Sequence, residues 1–202
     1  MNKKRRGLCF DLDGTILDSV KESRKCIIKA AESCMLPTGT DLEEKITAGW
    51  KRSLGNQDFA LSIWPRETPE KLRAFLSTWE EIDCYHNFDI FPNTKEALEK
   101  LYVYFCLGIL TNRHLQSAFP QIRKNGLMLF FDFIVTPDWI NARKPDPEMM
   151  GPVFQKFEQA GVPRQNIILI GDTLAGDWQL AQTLKLEFFA VLAGGINSRE
   201  EF

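Results

Sequence analysis

Short apolar runs, most of them alternating with helical patterns, constrain this chain more than any other feature. They are Gly7-Leu8-Cys9-Phe10, Tyr104 to Thr111, Phe131-Asp132-Phe133-Ile134-Val135, Asn166-Ile167-Ile168-Leu169-Ile170 and Phe188-Phe189-Ala190-Val191-Leu192. A short continuous apolar run bounded by turn residues reads as a strand buried on both faces. From residue 93 onward each such run is separated from the next by a helical pattern. Asn93-Thr94-Lys95-Glu96 opens one helix, and Leu115 begins another that stops at Asn125-Gly126. Asp146-Pro147-Glu148 opens a third, ending at Gly161, and Gly176 to Lys185 forms the last. Strands alternating with helices predict an α/β fold with a parallel sheet and right-handed crossovers.

Between the first and second runs the pattern changes. Ser19-Val20-Lys21-Glu22 and Thr40-Asp41-Leu42-Glu43 have the form of capping boxes. Thr68-Pro69 reads as an N-cap followed by proline in the first helical turn, with Leu72, Phe75, Leu76 and Trp79 on one stripe beyond it. No strong strand signal falls between residues 18 and 88, and the segment is far too long for an ordinary connection. The expected organisation is a core domain of residues 1–17 and 89–202, with 18–88 as an inserted helical domain.

Composition narrows the function classes. Twenty-five basic against 27 acidic residues leave a net charge of -2, so no global field points to nucleic acid or an anionic membrane. The local cluster Lys3-Lys4-Arg5-Arg6 reads as a solvated leader. The apolar run after it is too short for a secretory signal, and no run is long enough to span a bilayer. Five cysteines without a CxxC pair predict free thiols in a reducing cytoplasm. The two histidines, His86 and His114, lack metal-ligand spacing and give no support to a Ser-His-Asp triad.

The chemistry lies at the ends of the runs. The first ends in Asp11 and Asp13, two residues apart and so starting on the same face. Gly14 then lets the chain leave the strand. The second ends in Thr111-Asn112 and the fourth in Asp172, with Asp177 five residues on, while Lys144 follows the third. Parallel strands end on one side of their sheet, where open α/β sheets bind ligands, so these groups can converge. Three acids, a hydroxyl and a lysine fit phosphoryl transfer through a covalent aspartyl phosphate. An anionic nucleophile attacking a phosphate needs its repulsion screened, and Mg²⁺ suits oxygen ligands and substrate oxygens. Asp11 and Asp172 are the natural side-chain ligands. Lys144 adds positive charge at the transferring group, Thr111 holds its oxygens, and Asp13 can protonate the leaving oxygen and then take a proton from water.

These motifs resemble those of the haloacid dehalogenase (HAD) superfamily, in its phosphoglycolate-phosphatase-like branch. Phe10-Asp11-Leu12-Asp13-Gly14-Thr15-Ile16-Leu17-Asp18-Ser19 is similar to the first family motif, with Asp11 at the nucleophile position and Asp13 at the acid/base position. Thr111-Asn112-Arg113 resembles the second, Arg143-Lys144-Pro145-Asp146-Pro147 the third, and Gly171-Asp172-Thr173-Leu174-Ala175-Gly176-Asp177 the fourth. The resemblance implies a Rossmann-like, HAD-like core with an α-helical cap at residues 18–88. It implies catalysis by Asp11, Asp13, Thr111 and Lys144, and phosphate binding by Thr111, Asn112 and Lys144. It also implies Mg²⁺ held by Asp11, Asp172 and the backbone carbonyl of Asp13, with Asp177 in support.

The activity so implied is hydrolysis of a small cytosolic phosphomonoester by a monomer or homodimer, without nucleic acid or membrane. A phosphomutase of the β-phosphoglucomutase type would use the same residues. A catalytically silent binding or regulatory module should have lost a catalytic carboxylate. A dehalogenase is disfavoured because Asp13 suits an oxygen leaving group. Within the insert, Gly49-Trp50-Lys51-Arg52 reads as a surface stretch and the aromatic residues as core. His114 is assigned no role.

Overall fold

The structure, a computed structural model, describes residues 6–202. Lys3, Lys4 and Arg5 of the basic cluster lie outside the described residues. The elements run β1 (Gly7–Phe10), α1 (Val20–Ser33), α2 (Leu42–Lys51), α3 (Asn56–Ile63), α4 (Pro69–Tyr85), α5 (Thr94–Leu101), β2 (Cys106–Leu110), α6 (Leu115–Lys124), β3 (Phe133–Val135), α7 (Met150–Gln159), β4 (Ile167–Gly171), α8 (Gln179–Leu184) and β5 (Glu187–Ala190).

All the strands are parallel, in the order β3-β2-β1-β4-β5. β1 is central, and every residue in it is buried. Its alternating side chains divide between two cores. Leu8 and Phe10 pack with Leu98 of α5 and Ile122 of α6, while Cys9 packs with Phe157 of α7 and Leu180 of α8. Register fixes the functional edge: Phe10 lies beside Ile109 of β2 and Ile170 of β4. The next residues, Asp11, Leu110 and Gly171, therefore reach the carboxyl edge together, and the Asp11 N–H donates to the Ile170 carbonyl at 2.8 Å.

β2, β3 and β5 are shorter than the sequence runs. Tyr104 and Phe105 stay in the turn after α5, and Phe131 and Asp132 precede β3. Asp132 holds Leu107 of β2 from both sides: its N–H donates to the Leu107 carbonyl at 2.8 Å, and its carboxylate accepts from the Leu107 N–H at 2.9 Å. The last strand begins one residue early, at Glu187, and ends at Ala190.

Residues 18–88 contain four helices, and no strand among the described residues. They build a core of their own, in which Ile27, Ala30, Leu42, Ile46, Phe59, Ile63, Trp64 and Phe75 are buried together. Trp79 and Ile82 of α4 touch both this core and the one beneath the sheet. The chain leaves and rejoins the sheet domain through adjacent segments: the Asp18 N–H donates to the Asp89 carbonyl at 2.9 Å and the Phe91 N–H to Ile16 at 3.1 Å.

Helix ends separate local chemistry from tertiary demand. Thr68 caps α4 as expected, accepting from the Lys71 N–H at 3.3 Å with Pro69 in the first turn. Asp146 likewise accepts from the Glu148 N–H at 2.9 Å. The boxes at Ser19 and Thr40 do not form, and Asn93 makes no side-chain cap. Ser19 is buried, and its hydroxyl bonds Asp13 instead. The α2 N-cap is Asp41, whose carboxylate pairs with Lys45 at 2.7 Å. Asn93 adopts φ 63°, turning the chain into α5 with its backbone alone. All five cysteines are free. No helix among the described residues is long and apolar enough to cross a membrane.

Candidate functional site

The carboxyl edge of the sheet opens into a cleft of about 230 Å³. Asp11, Asp13, Thr111, Asn112, Lys144 and Asp172 line its sheet side, and Trp50, Leu54, Leu76 and Trp79 line it from the insert. The chain can turn sharply after β1 because Gly14 has φ +72°, and a Cβ there would collide with the Asp172 carboxylate. Only glycine meets both demands.

Lys144 is the centre of one group. Its Nζ lies 2.6 Å from Asp11 Oδ1 and 2.7 Å from Asp177 Oδ1, and its side chain is 3% exposed. Asp177 is fixed in turn by Thr173, whose N–H donates at 3.1 Å and hydroxyl at 2.6 Å to Oδ2. A π-helical turn, Leu174–Trp178, brings Asp177 back beneath the loop. Asn112 clamps the Lys144 backbone: its amide donates to the Lys144 carbonyl at 3.1 Å and its Oδ1 accepts from the Lys144 N–H at 2.7 Å. Asn112 therefore spends its polar atoms on placing Lys144. Thr111 is buried, and its Oγ1 accepts from the Arg113 N–H at 3.1 Å.

Asp172 completes this group without a partner. Both its carboxylate oxygens are buried and accept no hydrogen bond. Oxygens of Asp11, Asp172 and Asp177 lie within 4.8 Å of one another. Burial pushes the Asp11 and Asp172 carboxyls up, with neighbouring acids adding to the rise and Lys144 opposing it. Lys144 is held charged: burial works against it, and Asp11 and Asp177 more than offset that. Three buried acids against one ammonium leave negative charge uncompensated, and buried charge is costly unless paired. An all-oxygen set with two unpartnered acceptors fits a hard divalent cation such as Mg²⁺.

A second group surrounds Arg113. Its Nε and Nη2 donate to Asp13 Oδ2 and Oδ1 at 3.0 and 2.7 Å, a two-bond fork. Its Nη1 pairs with Asp83 of α4, and the guanidinium carbon lies 4.8 Å above the Phe88 ring. Burial raises the Asp13 carboxyl, but the Arg113 charge and hydrogen bonds outweigh it and hold Asp13 below the usual range. Asp13 is thus an ionised carboxylate here, with its oxygens turned to Arg113. Arg113 also ties the sheet domain to the insert.

Of the sequence candidates, Asp11, Lys144 and Asp172 meet directly, with Thr111 and Asn112 beside them. Asp13 faces Arg113 rather than the cluster. The sequence places Arg113 in the second motif without a role, says nothing of Asp83, and gives Asp177 only a supporting part. Arg113 follows Thr111-Asn112 and could have been flagged by position. Asp83 carries no local signal, being one acid among several on α4. His114 lines the cleft rim, exposed, with Nδ1 3.0 Å from Asp138 Oδ1. Lys51 pairs with Glu201 at 2.8 Å on the surface, while its neighbour Trp50 lines the cleft.

A central parallel sheet with aspartates after its first and fourth strands, and a helical insert after the first, defines an α/β protein with a cluster of buried acids at its carboxyl edge. The chain belongs to the haloacid dehalogenase-like hydrolase family, whose profile matches residues 8–191. Curated relatives include the N-acetylmuramic acid 6-phosphate phosphatase of Pseudomonas aeruginosa, 26% identical over 84% of this chain and 74% of the relative. The phosphoglycolate phosphatase of Nitrosospira multiformis is 25% identical over 98% of this chain and 87% of the relative. Among solved structures, a haloacid dehalogenase-like protein from Bacteroides fragilis shares the fold at TM-score 0.82, with 21% identity over 98% of this chain and 92% of the other. A HAD hydrolase from Bacillus subtilis, bound to magnesium, does so at TM-score 0.74, with 21% identity over 94% and 90%.

Proposed function

We propose that the chain is a Mg²⁺-dependent phosphomonoester hydrolase working through an aspartyl phosphate on Asp11. The observation that carries this reading is Asp172, whose two buried oxygens stand unpartnered beside an Asp11 already paired to Lys144. Asp11, Asp172 and the backbone carbonyl of Asp13 would hold the cation, with Asp177 in the adjoining group. The cation would supply charge compensation for a phosphate meeting a carboxylate.

The residues divide the work. An Asp11 oxygen attacks phosphorus, the ester P–O bond breaks, and the leaving oxygen takes a proton from Asp13. Water then attacks the phosphoryl group on Asp11, Asp13 takes its proton, and inorganic phosphate leaves. Lys144 and Thr111 steady the phosphoryl oxygens in both halves. The ionised Asp13 seen against Arg113 suits the second half. For the first half Asp13 must carry a proton and leave the fork.

Residues 18–88 would act as a cap over the core of residues 1–17 and 89–202, excluding water from the cleft. Two neighbouring connections and a separate helical core support that division. The relatives' names support a small phosphorylated metabolite as the substrate, and the free thiols support a reducing, cytoplasmic setting. Steady-state assays should show phosphate release that requires Mg²⁺. Appearance of an isomerised sugar phosphate in place of inorganic phosphate would instead mark a mutase.

A further inference from the structure

Asp13 is held where it cannot work. Arg113 Nε and Nη2 take one of its oxygens each, and the Ser19 hydroxyl adds a third bond. Its carboxylate faces Arg113 rather than the Asp11 cluster, so the side chain has to turn out of the fork before it can meet a leaving oxygen. The cost of that turn depends on what Arg113 keeps. The Arg113 side chain is 8% exposed, and a guanidinium does not shed its proton. Left alone it would be a buried cation without a counter-charge, which is strongly unfavourable.

Asp83 prevents this. Its buried carboxylate pairs with the remaining nitrogen, Nη1, and the Phe88 ring lies 4.8 Å from the guanidinium carbon. The chain around both is fastened to the sheet domain. Gln121 of α6 accepts from the Phe88 N–H at 3.1 Å and donates to the His86 carbonyl at 2.6 Å, and Asn125 donates to the Phe88 carbonyl at 3.0 Å. The end of α4 is thereby fixed, so Arg113 keeps a partner and a seat when Asp13 turns away. While Asp13 is in the fork, two carboxylates share one guanidinium, and each is bound less tightly than it would be alone because like charges repel.

We propose that Asp83 is a positioning residue: acting through Arg113, it lets Asp13 leave the fork and reach the leaving oxygen. This deepens the hydrolase reading above and rests on it. The chemistry is unchanged, with Asp13 giving its proton to the leaving oxygen as the ester P–O bond breaks. What Asp83 adds is an acid of the insert, far from the reacting atoms in sequence, that sets how readily Asp13 gets there.

The test uses two esters of similar shape, p-nitrophenyl phosphate and benzyl phosphate. A p-nitrophenolate leaves without a proton, whereas a benzyl alkoxide needs one, so only the second ester depends on Asp13 in the transfer to Asp11. Asp83→Asn keeps an acceptor for Nη1 and removes the charge. It should lower kcat/KM for benzyl phosphate by about tenfold and leave that for p-nitrophenyl phosphate within about twofold. Asp83→Glu, which returns the charge, should recover part of the benzyl rate. An equal loss on both esters would mark a structural role and overturns the proposal, as does no loss on either. Failure of the wild type to hydrolyse either ester with Mg²⁺ present defeats the hydrolase reading instead. The sharing of Arg113 is then judged by urea unfolding of Asp13→Asn, Asp83→Asn and the double variant. A double variant whose midpoint falls by more than the two single losses together supports it, and additive losses overturn it.

Discussion

Lys144 and Arg113 sit on one cleft, each between two carboxylates, yet their surroundings differ in what they leave over. Around Arg113 the donors and acceptors match: two bonds to Asp13, one to Asp83, and an aromatic face beneath. Around Lys144 there is a third acid, and Asp172 has both oxygens idle. The first group is complete as a protein structure. The second is complete only with a guest. Buried polar groups are normally satisfied, so unsatisfied ones mark where a ligand belongs, and saturated ones mark where the fold is being held.

Four changes would break or sharpen that contrast. Asp11→Asn should lower kcat by about a thousandfold or more while the protein stays folded, since only the nucleophile is lost. Phosphate release and far-UV circular dichroism would check it, and a fully active variant would sink the mechanism. Asp83→Ala removes one side of a buried pair and should cost about 3 kcal/mol in urea unfolding, because Arg113 is left partly unmatched. Magnesium protection against heat should persist in that variant. Asp172→Asn should do the reverse. Without divalent metal it should melt above the wild type, having lost an acid that burial and the neighbouring carboxylates disfavour. The rise in melting temperature on adding Mg²⁺ should largely disappear with it.

The smallest effect lies at the rim, on Asp138. Burial raises its carboxyl, but the Leu115 N–H, His114 and the Thr136 hydroxyl together bring it down to about 2, from an ordinary 3.8. A depressed folded-state value means stability that is present above the unfolded value and lost as pH falls through the folded one. Asp138→Asn should therefore lower the urea midpoint at pH 7, and the gap from wild type should shrink steadily between about pH 4 and pH 2. A gap that is constant with pH would assign the effect to packing alone.

The sequence carried the sheet, the helical insert and the convergence of Asp11, Thr111, Lys144 and Asp172 on one edge. Each follows from local pattern: apolar runs make strands, helices between them make the strands parallel, and parallel strands end together. Thr68-Pro69 and Asp146-Pro147 capped as written, because nothing else competed for those side chains. Ser19 did not, because the carboxylate of Asp13 lay within reach of its hydroxyl. Partnerships of that kind belong to the tertiary structure. Arg113 meets Asp13 from 100 residues away and Asp83 from 30, and nothing near any of them in sequence chooses among the many other acids. The same holds for Asn112 gripping the Lys144 backbone and Asp177 joining the cluster. Which residues carry charge is written locally, but which charges cancel depends on who is buried beside whom.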